Sequence, residues 1–182
     1  MEDSNNECQC FTVENTGLCL FHLWFPRLFD LLDYLNEDKR NFKDEASKIR
    51  AVFLLQYLVY GEERKYRETG LAFNRLLVSL PMHIPLPESL ELTDNEKQTA
   101  ESLLAGVKAN WRAMNGTSVK GFQESFIIRT GSLEEQEEKW LLTVDNKTID
   151  ILIDTVPWSF RQIRFPWLKK YIQVVWHEKQ EF

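Results

Sequence analysis

The chain has 182 residues, of which 43% are hydrophobic and 27% are charged, so it can bury a core without disulfide or metal staples. Its formal net charge of −6 disfavours binding to the phosphate backbone of nucleic acid. The first residues are polar and acidic, and no apolar run approaches the roughly 20 residues of a membrane-spanning helix. We therefore expect neither a signal peptide nor direct membrane insertion.

The three cysteines, Cys8, Cys10 and Cys19, lie within the first twenty residues. Their odd number and their confinement to one end favour a reducing, cytoplasmic compartment over a disulfide framework. Together with His22 they could supply four metal ligands, but a Cys-x-Cys pair on a polar segment is a weak zinc motif. We predict no metal site and no cofactor.

The first half of the chain is predicted to be helical. Residues 1–15 are polar and are interpreted as a flexible tail, and residues 16–80 as a helical subdomain. The segment 17–25 is apolar throughout, so its periodicity does not separate a strand from a helix. Leucines at helical spacing then predict a helix over 26–36.

A central helix is predicted over 46–60, because its apolar residues cover nearly every side. Gln56 within it is expected to be a hydrogen-bonded polar residue of the core. A further helix is predicted over 67–80. The segment 81–92 contains three prolines, so it is interpreted as an extended connection between two subdomains.

Residues 93–182 are predicted to form an α+β subdomain that ends in a hairpin. Thr93 and Glu96 have the spacing of a capping box, which predicts a helix that runs to Met114. The other predicted elements are a helix over 119–129, a strand over 140–144, a helix over 147–156 and hairpin strands over 160–165 and 171–176. The predicted class is α+β, mostly helical, with a small antiparallel sheet near the C-terminus.

Catalytic motifs are scarce. The three histidines do not accompany a nucleophile elbow or a His-Glu-x-x-His pattern, and every glycine is isolated, so there is no phosphate-binding loop. Glu124 and Arg129 are interpreted as structural. We therefore predict that the protein is not an enzyme.

The most unusual feature is an aromatic and basic segment near the C-terminus. Core packing under a small sheet accounts for most of its aromatic residues, but Trp158 and Trp167 adjoin prolines in predicted loops and are harder to bury. Tryptophan and arginine are enriched at interface hot spots. The candidate partner-binding residues are Trp158, Arg161, Arg164, Trp167, Lys169 and Lys170.

Several motifs resemble, in the same order, those of the contractile injection system tape measure protein family. They occur between residues 13 and 176. They are VENTGL (13–18), FPRLF (25–29), FKDEA (42–46), LLQYL (54–58), LAFNRLL (71–77), PLP (85–87), AESLL (100–104), Trp111, NGTS (115–118), ESF (124–126), WLL (140–142), LIDTVPWS (152–159) and IRFPWL (163–168).

This resemblance, which is to the family's C-terminal domain region, implies a component of a phage-tail-like particle with a sheathed tube, a baseplate and a spike. It implies tube, spike and baseplate proteins as partners, and it carries no enzymatic site. Even a fully helical chain of this length would reach only about 270 Å at 1.5 Å per residue. Since both halves look compact, we expect a role at the tube end, spike or baseplate rather than that of a ruler.

A second interpretation is a soluble assembly chaperone or adaptor that binds tube, tape measure or effector proteins and then leaves. Assembly in the cytoplasm is expected under either interpretation, with a place in the finished particle under the first. The sequence leaves the formation of a homo-oligomer open.

Overall fold

The structure is a computed structural model that describes residues 8–178. The 3-10 helix Thr16–Trp24 runs directly into α1 (Phe25–Leu31), and α2 (Glu45–Tyr60) follows after a loop. The later helical segments are, in chain order, the 3-10 turn Glu68–Leu71, α3 (Ala72–Leu77), α4 (Asp94–Asn110), the 3-10 turn Arg112–Met114, α5 (Val119–Phe122), the π-helical turn Gln123–Ile127 and the 3-10 helix Thr148–Thr155.

Side-chain caps determine where the two long helices begin. Asp44 accepts a hydrogen bond from the Ser47 N–H at 2.7 Å at the start of α2. The predicted capping box is present at the start of α4, where Thr93 and Glu96 each accept the other's backbone N–H. Gly61 ends α2 in a left-handed conformation with φ of 71°. As its pattern predicts, α2 is buried on nearly every side, and it packs against α3 and α4.

The sheet contains β1 (Cys10–Val13), β2 (Gly131–Glu135), β3 (Lys139–Val144), β4 (Gln162–Ile163) and β5 (Tyr171–Val175). Their order is β1–β2–β3–β5–β4. β3 and β5 are parallel, with Leu142 opposite Val174, and the other neighbouring pairs are antiparallel. Alternate residues of β3 and β5 are buried in the core, and those between them are half-buried on the other face.

The mostly helical α+β class is confirmed, but the expectation of a purely antiparallel sheet near the C-terminus is wrong. The sheet is mixed because β5 inserts between β3 and β4 and runs parallel to β3. It also includes β1, which lies in the range 1–15 that the sequence assigns to a flexible tail. Residues 1–7 of that tail lie outside the described residues. Alternating hydrophobicity identifies a strand and its faces but not its neighbours.

The uniformly apolar segment 17–25, for which strand and helix are both open from the sequence, is helical. A Cβ on Gly17 would lie 1.9 Å from the carbonyl oxygen of Phe126, so only glycine lets this segment pack directly on the π-helical turn. Beside it, the Thr16 hydroxyl donates to the Arg129 carbonyl at 2.9 Å. The NTGL motif is therefore explained by packing.

One hydrophobic core includes residues from both sides of the connection 81–92. Phe21 lies 6.1 Å from Phe122, and Phe29 lies 6.0 Å from Trp167, measured between ring centroids. The division into two subdomains stays a prediction, although these contacts bury the two parts against each other.

Three buried amides connect β1 to the helices. Asn15 donates from Nδ2 to Gln56 Oε1 at 3.0 Å and to Asn74 Oδ1 at 2.6 Å, and Asn74 donates to Gln56 Oε1 at 3.0 Å. Gln56 is therefore the hydrogen-bonded core residue that the sequence predicts. These bonds hold the chain entering the first 3-10 helix against α2 and α3.

Arg129 and Asp150 form an ion pair in the core, and both side chains are 0% exposed. Arg129 donates from Nη1 and Nη2 to the two carboxylate oxygens at 2.6 and 2.8 Å. Trp176 Nε1 and the Lys147 N–H donate to Asp150 Oδ2 at 3.1 and 2.9 Å. Burial raises the pKa of Asp150, but these hydrogen bonds outweigh it and hold the pKa below its usual range.

Replacing Asp150 with Ala is expected to lower the free energy of unfolding by about 3–5 kcal/mol, because it leaves the Arg129 guanidinium buried without a counter-charge. Urea denaturation followed by circular dichroism measures this change. The control is Lys43→Ala, which breaks the exposed pair with Asp33 and should cost less than about 1 kcal/mol. A similar small loss in both variants would contradict the prediction.

Stability should also fall in acid through Glu96, which accepts hydrogen bonds from Arg50, Tyr34 and the Thr93 N–H. Burial raises the pKa of Glu96, but these partners lower it from 4.5 to about 2. Because the folded pKa lies below the unfolded one, the stabilisation is complete above pH 4.5 and is lost as the pH falls towards 2. Glu96→Gln preserves the capping box. We expect it to make the free energy of unfolding depend less steeply on pH in this range, whereas Glu124→Gln at an exposed position should leave that dependence unchanged.

Candidate protein-interaction surface

The six candidate residues of the aromatic and basic segment differ in their exposure and in their contacts. Trp167 is only 6% exposed. Its ring stacks on Phe165 at 4.8 Å and meets Phe42 edge-on at 5.3 Å, and its Nε1 donates to the Leu77 carbonyl at 2.9 Å. For Trp167 the structure therefore favours the core-packing interpretation, and little of its side chain is accessible to a partner.

Trp158 is half-buried beside the first 3-10 helix. Its Nε1 donates to the Leu20 carbonyl at 2.9 Å, and its ring meets Trp24 edge-on with 5.0 Å between centroids. The loop that contains Trp158 also contacts His22, whose Nε2 lies 2.8 Å from the Ser159 carbonyl. Burial lowers the pKa of His22. Trp158 thus holds its loop against the first 3-10 helix, and part of its ring stays exposed.

Arg161 and Arg164 differ in their exposure and in their contacts. Arg161 is half-buried and donates from Nη1 to the Trp176 carbonyl at 2.6 Å, so it is engaged in holding the chain after β5. Arg164 is exposed, and its guanidinium lies 4.3 Å from the centroid of the Tyr171 ring. Arg164 and Tyr171 present a cation and an aromatic ring together at one edge of the sheet.

Lys169 and Lys170 border an open cleft of about 340 Å³ between the sheet and the chain that leaves α3. Lys170 donates to Glu135 Oε1 at 3.0 Å and to the Gln136 carbonyl at 2.8 Å. Lys169 is exposed. We call this recess the basic cleft, and its lining also includes Gln9, Arg75, Leu76, Ser79, Leu80, Pro81, Met82, Trp140 and Leu168.

Arg75 builds the far wall of the basic cleft. It is 2% exposed and donates from Nη1 to the carbonyls of Pro81 and Ile84 at 2.8 and 2.7 Å. Burial lowers the pKa of its guanidinium, while the Glu68 carboxylate at 3.4 Å acts in the opposite direction. The proline-rich connection is therefore held in place by a buried cation.

The sequence analysis does not identify Arg75 or Glu135 as parts of this site. Arg75 could have been identified as a buried, hydrogen-bonded cation from its place in the apolar LAFNRLL helix, because a buried guanidinium needs carbonyl or carboxylate partners. Glu135 has no such signal, since it belongs to the acidic run 134–138, whose composition is typical of a solvated loop. Its position beside Lys170 depends on the pairing of β2 with β3.

Within the described residues, no group of three or more His, Cys, Asp or Glu side chains is arranged to hold a metal ion. Cys8 and Cys10 are exposed, and Cys19 is buried, where desolvation raises the pKa of its thiol. Over the same residues, every helix is too short or too polar to cross a membrane.

The structure is that of an α+β protein with an open cleft whose charged lining residues are Arg75, Lys169, Lys170 and Glu135. The chain matches the family model for contractile injection system tape measure proteins over residues 2–176, so it belongs to that family. The resemblance seen in its motifs is thereby confirmed. Searches of curated proteins and of solved structures found no match to this chain.

The contrast between buried and exposed residues of the segment can be tested directly. Trp167→Ala should lower the free energy of unfolding by about 3–5 kcal/mol, because it removes a packed core side chain. The double variant Arg164→Ser with Lys169→Ser should change it by less than about 0.5 kcal/mol per site, as exposed positions usually do. Thermal or urea unfolding measures both, and a stable Trp167→Ala variant would show that this ring is not needed in the core.

Proposed function

We propose that this chain is a structural and assembly component of a contractile injection particle, acting at the tube end, the spike or the baseplate. Membership of the tape measure protein family supports a structural role in such a system. The compact fold supports the finer placement. The longest described helix, α4, has 17 residues and spans only about 26 Å, so the described residues are poorly suited to measuring a tube of many stacked rings.

The basic cleft, together with Arg164 from the same chain segment, is the proposed contact with a particle protein. The chain carries a net charge of −6, yet the cleft lining contains Arg75, Lys169 and Lys170 and a single acidic residue, Glu135. A local positive surface on an acidic protein favours an acidic partner segment through charge complementarity. The apolar residues Met82 and Leu168 add area that such a segment can bury.

The proposed role is binding, without catalysis, cofactor or nucleic acid. The partners are tube, spike or baseplate proteins, assembly takes place in the cytoplasm, and the chain then stays in the particle. The alternative is an assembly chaperone or adaptor with the same partners, which leaves before the particle is complete. Self-association of the chain is compatible with both.

Quantitative mass spectrometry of purified, intact particles separates these roles. A fixed, low ratio of this chain to the spike protein is the expected result for a component of the tube end, spike or baseplate. Recovery only in the soluble fraction, bound to unassembled particle proteins, would favour the chaperone or adaptor. Absence from both fractions would overturn the proposal.

The contact itself is tested by reversing charge at the basic cleft. Arg164→Glu together with Lys169→Glu should weaken binding to the particle protein roughly 5- to 30-fold, if each exposed charge contributes about 0.5–1 kcal/mol. The effect should diminish at high salt because exposed charges are screened. Lys120→Glu, an exposed charge reversal on α5 outside the cleft lining, is the matched control. Equal binding by both variants would exclude the cleft as the contact.

A further inference from the structure

An apolar groove lies between α1 and α4, and it shares no lining residue with the basic cleft. Its volume is about 270 Å³. On the α1 side it is lined by Trp24, Arg27, Leu28 and Leu31. We call it the α1–α4 groove.

A large apolar side chain lies exposed at this groove. Leu31 lines it and is 60% exposed, and the lining residue Trp24 follows Leu23, which is 53% exposed. Trp24 in turn contacts the half-buried ring of Trp158. Single exposed leucines are ordinary, but leucines and tryptophans that adjoin an open groove form the kind of apolar patch that marks an interaction site.

The shape of the groove fits a helix. The α4 residues that line it follow the spacing of a single helix face, and they are Thr99, Ser102, Leu103, Gly106, Val107 and Asn110. Thr99 and Asn110 are separated by roughly 16 Å along the axis, or about three helical turns. Ser102 and Gly106 are small, and a Cβ added at Gly106 would meet no atom within 4 Å, so the backbone of a second helix can approach closely.

The charge of the groove lining bears on whether the occupant is an acidic helix or a second copy of this chain. Arg27 is the single charged residue that lines the groove, and it has no ion pair within residues 8–178. An acidic residue beside the apolar face of an incoming helix would complement it. A second copy of this chain docked groove to groove about a two-fold axis would instead bring the two Arg27 residues towards each other.

We propose that the α1–α4 groove binds an amphipathic helix of another protein, with an apolar face about three turns long and acidic residues beside that face. This surface is separate from the one in the proposed function. Loss of binding at one therefore leaves the other in place, and the two proposals can fail independently.

Gly106→Leu is the decisive variant, because a Cβ at this position has open space around it and the rest of the new side chain would occupy the groove. Leucine favours a helix more than glycine does, so the melting temperature should stay the same or rise. Ala105→Leu is the matched control, since residue 105 is an exposed position of α4 outside the groove lining. The two variants place the same leucine one residue apart on α4, and only the leucine at 106 lies in the groove.

The probe is a fluorescein-labelled synthetic helix of roughly 18 residues, or about five turns. It has leucines at helical spacing on one face and glutamates beside them, and a second peptide carries lysines in place of the glutamates. Fluorescence anisotropy should show that the wild type prefers the glutamate peptide, that Gly106→Leu weakens its binding at least tenfold and that Ala105→Leu does not. Arg27→Glu should transfer the preference to the lysine peptide.

Equal binding by Gly106→Leu and Ala105→Leu, or no binding of the glutamate peptide, would overturn the proposal. A dimer in sedimentation experiments that Gly106→Leu abolishes would also overturn it, because the occupant would then be a second copy. In cells that produce the particle, a photo-crosslinker at Leu31 should capture an acidic amphipathic segment of another protein. The same group at the exposed Ile151 should not.

Discussion

The fully buried ion pair between Arg129 and Asp150 connects the ends of three strands of the sheet. Arg129 comes just before β2, and its guanidinium reaches the Asp150 carboxylate, the Asp145 carbonyl after β3 at 2.7 Å and the face of Trp176, 5.3 Å away, directly after β5. A guanidinium at 0% exposure without a counter-charge would cost several kcal/mol. The ends of three strands and the 3-10 helix Thr148–Thr155 are therefore held in one arrangement.

Packing in the aromatic core determines which side chains of the C-terminal segment are exposed. Phe165 and Trp167 alternate inward and stack on each other, which leaves Arg164 and Lys169 facing outward. The exposed part of the segment is thus basic, and its tryptophans mainly stabilise the fold. The proposed contact with an acidic partner rests on this exposed basic surface of a chain whose net charge is −6.

The sequence predicts Arg164, Lys169 and Lys170 at a partner-binding surface, and it does not distinguish Trp158 from Trp167. Both tryptophans adjoin a proline in a predicted loop, and their local sequences are equally compatible with burial. Their difference comes from distant residues, since Phe29 and Phe42 enclose Trp167. The basic cleft and the α1–α4 groove are likewise each lined by elements that are far apart in the chain. No local sequence pattern predicts that these elements pack side by side.

The sequence by itself determined the family, the mostly helical α+β class, the buried central helix α2, the capping box of α4 and the amide of Gln56 within the core. The helices and the cap depend on neighbours within a few residues, through apolar periodicity and side-chain bonds to nearby backbone. The burial of Gln56 follows from its place in α2, although its partners Asn15 and Asn74 come from other elements. Only the tertiary structure decided that β1 joins the sheet, that β5 runs parallel to β3 and that Arg129 pairs with Asp150. Strand neighbours and buried ion pairs are selected by the packing of the whole core, because their free energy depends on residues brought together from remote parts of the chain.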